Sequence, residues 1–341
     1  MERAIGIDLH KNRFTVCYMQ KSGAYQVKEY QIKKGLEEFK KTLQKEDEVA
    51  VESTGNTAYF VREIEKSVKG VKIINPTQFK IISHSVKKTD EKDAVTIARY
   101  LDKDLIPEVR MRTKEESQIA SLISTRDRFV KLRTVLKNKI HNILNANGIV
   151  TRTEMFGSNK ELDNVLKMDI DEAYKFELGI IIEQIHSLNK AIGEIEKKLS
   201  ERGSKIDGHK NLTSIKGIGD LTATILLSAI GDINNFPDDK RLAAYFGIVP
   251  RVAVSNESSR YGRITKMGNK IARTALVQST LIAIRYNSYL KAFYNKLKAR
   301  KGAGKAIIAT SRKLLTIIYR TLKNNWIFKD FTNFKFVVAS T

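Results

Sequence analysis

Between Leu178 and Leu199, the apolar residues Leu178, Ile181, Ile185, Leu188, Ile192, Ile195 and Leu199 recur at alternating spacings of three and four. That register fixes a long helix with a single apolar seam of the coiled-coil kind. A second seam runs through Ile119, Leu122, Phe129, Leu136, Ile140 and Ile143, interrupted by Arg126 and Arg133. The two helices either pair as an antiparallel hairpin within one chain or pack on copies in another protomer. Both arrangements are open from the spacing alone. In either case the long helices divide the chain, and three domains are predicted: residues 1–108, a coiled-coil region over 109–204, and a helical domain over 205–341.

Before the long helices the period is shorter. AIGIDL at 4–9 is β-prone and ends near Asp8; Arg13 to Met19 alternates Phe14, Val16 and Tyr18, and Tyr25 to Ile32 is a third strand. Leu36, Phe39 and Leu43 mark a helix face, and EVAVE is a buried strand ending in Glu52. Ala58–Val68 is predicted as a helix and Val71–Ile74 as a strand, with a break at Asn75-Pro76. Strands followed by alternating helices and strands predict a three-layer α/β domain. An acid at a strand end stands where open α/β sheets build their sites.

The stretch KTDEKDAVTIAR, Lys88 to Arg99, places Asp90 and Asp93 three residues apart at a helix start, on one face. One role for the pair is capping, with Asp90 as N-cap and Asp93 at N3. The other is to hold Mg²⁺, which takes oxygen ligands and keeps water or phosphate in its shell. With Asp8 and Glu52 there are four acids for such a site, and two ions held by them would suit phosphoryl transfer. No histidine or cysteine is expected among them, which argues against zinc.

The acids stand out because the chain is basic. Over 341 residues, Lys and Arg total 61 against 38 Asp and Glu, a formal charge of +23. A field of that sign favours a polyanion, and nucleic acid is the expected partner. The single cysteine, Cys17, rules out an intrachain disulfide and a cysteine-based zinc site, which fits a reducing compartment. No stretch reaches the roughly 18 apolar residues of a membrane span and no signal-peptide pattern opens the chain, so a soluble, cytoplasmic, DNA-associated protein is expected.

LTSIKGIGD, Leu212 to Asp220, resembles a helix-hairpin-helix, in which Gly217 and Gly219 let backbone N–H groups approach a phosphate beside Lys216. The bland alternative is a helix stop at Gly217 and a restart after Gly219. Leu221–Ile230 and Arg241–Phe246 are predicted helices. GIVPRVAVSNESSRYGRITKMGN, Gly247 to Asn269, is rich in Ser, Gly, Arg and Lys and is predicted to be a loop. A serine hydroxyl beside Arg251, Arg260, Arg263 and Lys266 is a setting for attack on a phosphodiester, although a loop that only grips phosphate or is solvated fits as well, and spacing alone leaves Ser255, Ser258 and Ser259 equivalent. Ile271–Ile284 and Lys305–Leu322 are further helices, and Trp326 with the aromatics after it is expected to pack the tail onto the domain.

With both stretches in view, the chain resembles the IS110 family of transposases, the DEDD recombinases also called bridge-RNA-guided recombinases. GIDLHK, EST and KTDEKDA match the family's Asp-Glu-Asp-Asp set as Asp8, Glu52, Asp90 and Asp93. Counting from Pro250 and from Gly262 before Arg263-Ile264, the family's nucleophilic serine falls on Ser255. Asn256 stands where the family usually has glycine, and Asn also enters positive φ. The resemblance implies a RuvC-like, ribonuclease-H-type domain with a coiled-coil insertion and a helical transposase domain bearing the serine. It further implies Mg²⁺, donor and target DNA, a structured guide RNA, and a homodimer or homotetramer whose site joins the acids of one protomer to the serine of another. Two other functions compete with this one: a junction nuclease using metal-activated water, and a non-enzymatic nucleic-acid scaffold, which leaves the four acids without a purpose.

Overall fold

The computed structural model describes residues 3–76, 79, 89–255 and 258–329, which divide after Thr113 into two compact units. In the first unit, β1 (Arg3–Leu9), β2 (Arg13–Gln20), β3 (Tyr25–Gln31), β4 (Glu48–Glu52) and β5 (Gly70–Ile74) form one sheet in the order β3-β2-β1-β4-β5. The first three strands are an antiparallel meander, while β4 runs parallel to β1 and β5 parallel to β4. β1 and β4 read as nearly unbroken apolar runs because helices cover both faces. On one face Phe39 of α1 (Ile32–Thr42) and Phe60 of α2 (Thr57–Ile64) pack on Ile5, Ile7, Phe14, Val49 and Val51. On the other, Ala94, Ile97 and Ala98 of α3 (Asp90–Asp102) pack on Ala4, Cys17, Ala50 and Ile74. The three-layer α/β domain is the one the alternation predicts. The helix expected over 58–68 ends earlier, at Ile64, and closes in a 3₁₀ turn over Glu65–Ser67.

Gly6 sets how close α3 comes to the sheet. A Cβ there would fall within the backbone of Ala94 and Ala98, 2.9 Å from Ala98 Cα. Only glycine lets the helix rest on β1, and its N-terminus thereby reaches the end of that strand.

In the second unit, α4 (Lys114–Ala146) and α6 (Glu172–Gly203) lie antiparallel on each other. Leu178, Ile181 and Ile185 meet Ile140, Ile143 and Leu144 at one end, and Leu199 shares a core with Ile119 and Ile123 at the other. Of the two arrangements open from the spacing, the described residues form the intrachain hairpin. The polar interruptions of the α4 seam are cross-helix ties: Arg126 donates to Glu196 Oε1 through Nε at 2.8 Å and Nη2 at 2.6 Å, and Arg133 donates to Asn189 Oδ1 at 2.8 Å. The polar link between the helices holds a short helix, α5 (Asn159–Val165). It is started by a reciprocal cap in which Ser158 N donates to Glu161 Oε2 and Glu161 N to Ser158 Oγ.

The far end of this hairpin is built into the helical core that follows. Ile119 and Leu199 join Leu226 of α7–α8 (His209–Thr213, Asp220–Ile230), Phe246 after α9 (Asp239–Tyr245) and Leu276 of α10 (Lys270–Tyr286). Leu290 of α11 (Ser288–Lys301) and Leu314 of α12 (Ala303–Lys323) complete it. The spacing along the sequence did not reveal α11. Trp326 is a correction as well: its side chain is largely exposed, and its backbone makes the ties, N to Thr321 O at 2.9 Å and O from Asn211 Nδ2 at 2.8 Å. Phe328 is the aromatic packed on the core, and residues from 330 onward lie outside the described ones.

The segment predicted as a loop over 247–269 is instead a β-hairpin, β6 (Pro250–Ser255) and β7 (Ser258–Ile264), with Ser255 paired to Ser258. Arg251, Val252, Arg260 and Arg263 are exposed, so these positions lack the apolar alternation by which buried strands are recognised.

Candidate metal centre and nucleic-acid interface

Register brings the first two acids together. β1 and β4 pair from Ala4–Glu48 through Ile7–Val51, and one step further along the same register stand Asp8 and Glu52, at the carboxyl ends of adjacent parallel strands. Asp8 alternates with Ala4 and Gly6, so it belongs to the face that α3 covers. α3 enters from its N-terminus with Asp90 as first helical residue and Asp93 one turn on. The capping role considered for Asp90 falls to Thr89, whose Oγ1 accepts from Lys92 N at 3.3 Å. Neither Asp90 nor Asp93 is consumed as the cap.

Asp8 and Asp93 are each only 5% exposed, an unusual place for carboxylates in a cationic protein. Burial pushes the Asp8 carboxyl up to about 6; His10 opposes the rise, and Asp90, Asp93 and Glu52 add to it. All four predicted acids therefore act on one local field. Negative charges gathered around a buried carboxylate favour a bound cation.

His10 is the residue missed from the sequence, and its presence corrects the expectation that no histidine accompanies the acids. Its Nε2 lies 3.2 Å from Asp8 Oδ2 and 3.3 Å from Asp90 Oδ1. The ring is two residues beyond Asp8, the spacing that returns a side chain to the same face of a strand. Asn56 Nδ2 donates to His10 O at 3.0 Å, and His10 N donates to Arg13 O at 3.0 Å, which ties the turn after β1 to the start of α2. Arg13 Nη2 donates to Asp90 Oδ2 at 2.9 Å and leaves Oδ1 toward His10. Opposite Asp8 in the β1–β2 ladder, Thr15 is buried and its Oγ1 has no hydrogen-bond partner among the described residues. Carboxylates, an imidazole and an unsatisfied buried hydroxyl are a donor set that fits a divalent cation with mainly oxygen ligands.

The remaining predicted residues belong to the second unit. Gly217 has φ of +105°, and a Cβ there would approach Ala283 N to 2.8 Å, so this glycine is committed to packing the turn on α10. Gly219, the N-cap of α8, has open space where a Cβ would stand, and Lys216 is exposed. Arg251, Arg260, Arg263 and Lys266 are all exposed along the hairpin and its root. That root is anchored by Thr265 N to Val249 O at 2.9 Å, Lys266 N to Gly247 O at 3.0 Å, and Arg273 Nη1 to Phe246 O at 3.1 Å. In the ladder Ser255 pairs with Ser258 and Ala253 with Arg260. Asn256, weighed above as a turn residue, lies outside the described residues. Among the described residues no helix is long and apolar enough to cross a membrane.

Known proteins share this chain's pattern along most of its length. The family model described as transposase of the IS116/IS110/IS902 family matches residues 209–295, and the IS110 DEDD transposase model matches residues 5–147. The chain is 26% identical to the transposase for insertion sequence element IS1111A of Coxiella burnetii, over 94% of this chain and 89% of that one. It is 28% identical to the transposase for insertion sequence element IS1328 of Yersinia enterocolitica, over 84% and 85%. To the pilin gene-inverting protein of Moraxella bovis it is also 28% identical, over 94% of this chain and 96% of its relative.

Proposed function

Because this chain belongs to the IS110 family of transposases, enzymes of DNA recombination, we propose that it cleaves and exchanges DNA strands through Mg²⁺ held by Asp8, Glu52, Asp90 and Asp93 and through Ser255 as covalent nucleophile. The observation that carries the metal half is the buried Asp8, whose carboxyl is raised by burial and by the three other acids. The mixed five-stranded sheet with acids at its carboxyl edge supports a RuvC-like, ribonuclease-H-type first unit. A divalent ion held by these carboxylates would stabilise charge on phosphate oxygens and favour ionisation of an attacking hydroxyl.

The chain's own residues would do the rest. Arg251, Arg260, Arg263 and Lys266, with the backbone at Gly219, grip and neutralise the phosphates. Ser255 Oγ attacks the phosphorus of one phosphodiester as its hydroxyl proton passes to solvent. The P–O bond to the leaving strand breaks, and that strand keeps a free hydroxyl. Attack on the phosphoserine by the hydroxyl of another strand then releases Ser255 and joins the exchanged ends, so no bond energy is lost. A structured RNA pairing with donor and target would choose the sequences, in a dimer or tetramer whose acids and serine come from different protomers, as the family resemblance implies.

Strand cleavage in Mg²⁺ by Asp8→Asn, Glu52→Gln, Asp90→Asn and Asp93→Asn proteins tests this. Each is expected to lose cleavage while keeping its fold, and unchanged cleavage by Asp8→Asn would overturn the metal site. A second mechanism, attack by water with the serine only gripping phosphate, is favoured by one observation: the acids and Ser255 belong to different compact units.

A further inference from the structure

The turn after β1 adds a nitrogen donor to a cluster otherwise made of carboxylates, and its spacing is that of ligands. Bonds of about 2.1 Å to an octahedral ion put neighbouring donor atoms about 3 Å apart. His10 Nε2 stands 3.2 Å from Asp8 Oδ2 and 3.3 Å from Asp90 Oδ1, and the three donor atoms lie within 4.8 Å of one another. A direct charge-assisted N–H···O bond would be shorter, about 2.7–2.9 Å. The three atoms are therefore spaced to share an ion with almost no movement of the backbone.

The surrounding contacts hold that spacing. Both the N–H and the carbonyl of His10 are engaged, by Arg13 O and by Asn56 Nδ2, so the ring hangs from a tied turn. Arg13 occupies Asp90 Oδ2 and directs the other oxygen inward, the kind of outer contact that orients metal ligands. Thr15 supplies an independent sign that a polar ligand belongs beside Asp8. Its side chain is buried, sits opposite Asp8 in the ladder, and carries a hydroxyl with no partner among the described residues. A buried hydroxyl left unbonded is destabilising, and water in the shell of an ion beside Asp8 would satisfy it.

We propose that His10 is itself a ligand of the divalent ion, together with Asp8 Oδ2 and Asp90 Oδ1, so that this position has a mixed nitrogen and oxygen donor set and binds Mn²⁺ in preference to Mg²⁺. The inference rests on the metal site of the proposed function and adds to it a residue and a selectivity. Mg²⁺ is nearly confined to oxygen ligands, whereas Mn²⁺ shares its suitability for carboxylates and, as a first-row transition-metal ion, also takes nitrogen donors. The ligand form is the neutral ring, whose Nε2 lone pair replaces the present contact to the two carboxylates.

Electron spin-echo envelope modulation of Mn²⁺ bound to the full-length protein tests this without reference to activity. The wild-type spectrum should show ¹⁴N modulation from a directly bound imidazole, changing to the ¹⁵N pattern when the histidines are ¹⁵N-labelled. His10→Gln should lose the modulation and bind Mn²⁺ at least tenfold more weakly, with Mg²⁺ affinity changed less than threefold. Mn²⁺ bound by the wild type without nitrogen modulation, and lost in Asp8→Asn, would overturn the role of His10 and leave the acid site standing. No Mn²⁺ binding at all would overturn both. If His10→Gln fails to fold, loss of the histidine modulation together with the ion in Asp8→Asn assigns the bound ring to this site, and histidine modulation that persists in Asp8→Asn overturns the assignment.

Discussion

Gly6 lies directly beneath Ala98, and a Cβ at position 6 would come within 2.9 Å of Ala98 Cα. This close approach lets α3 lie on β1 and carry Asp90 and Asp93 to Asp8. Gly6→Ala should destabilise the first unit by about 1–3 kcal/mol, since the clash is with helix backbone rather than a mobile side chain. The displaced helix should also weaken divalent-ion binding at least tenfold. Thermal denaturation and Mn²⁺ titration check both, and a variant of unchanged stability would show that α3 does not rest on Gly6.

Asp8 carries a cost that its neutral analogue removes. With a folded-state carboxyl at about 6 against an ordinary 3.8, the folded protein holds the extra proton between those values. Stability from this group is fully present below about pH 3.8 and is lost as pH rises through about 6. At pH 7 without metal, Asp8→Asn should therefore be more stable than wild type, by on the order of 2 kcal/mol, with the gain vanishing toward pH 4. Saturating Mn²⁺ or Mg²⁺ should reverse the order, because only wild type gains from the ion. Urea denaturation across this pH range, with and without metal, measures it.

The seam on α6 is filled inside the chain. Ile185 is fully buried against the α4 side of the hairpin, so Ile185→Ala should cost about 2–4 kcal/mol of stability. Mass by light scattering under native conditions should be unchanged. A shift to smaller species without loss of stability would mean that this seam joins protomers instead.

These contacts show what the sequence could convey. Asp8 and Glu52 were legible because strand ends are marked by a change from apolar to acidic residues, and parallel register then sets them side by side. His10 was missed although its i+2 spacing from Asp8 was visible, because the turn after a strand does not oblige the side chain to continue the strand's alternation. Thr89 rather than Asp90 caps α3, a choice between adjacent residues that both suit the position. The Ser, Arg and Gly content of the β6–β7 segment is that of a loop, and the exposed Arg251, Val252, Arg260 and Arg263 give no buried alternation to mark a strand. The heptads on α6 specified a partner helix, but the partner's identity depended on Arg126 and Arg133 finding Glu196 and Asn189, a long-range match that local spacing does not encode.

The exposed cations of the hairpin should act through phosphates alone. Replacing Arg251, Arg260, Arg263 or Lys266 with Ala should weaken binding to all DNA sequences alike and lower the slope of log affinity against log salt by about 1 for each phosphate that is no longer neutralised. Fluorescence anisotropy over a salt series reads this, and an effect confined to one sequence would instead mark a base contact.

The most direct measurement is to trap the protein on DNA in Mg²⁺ and map the attachment by mass spectrometry. The expected result is phosphoserine linkage at Ser255, absent from Ser255→Ala and from Asp8→Asn, with activity partly restored when Ser255→Ala and Asp90→Asn proteins are mixed. Attachment at Ser258 or Ser259, or cleavage that persists in Ser255→Ala without any adduct, would contradict the account.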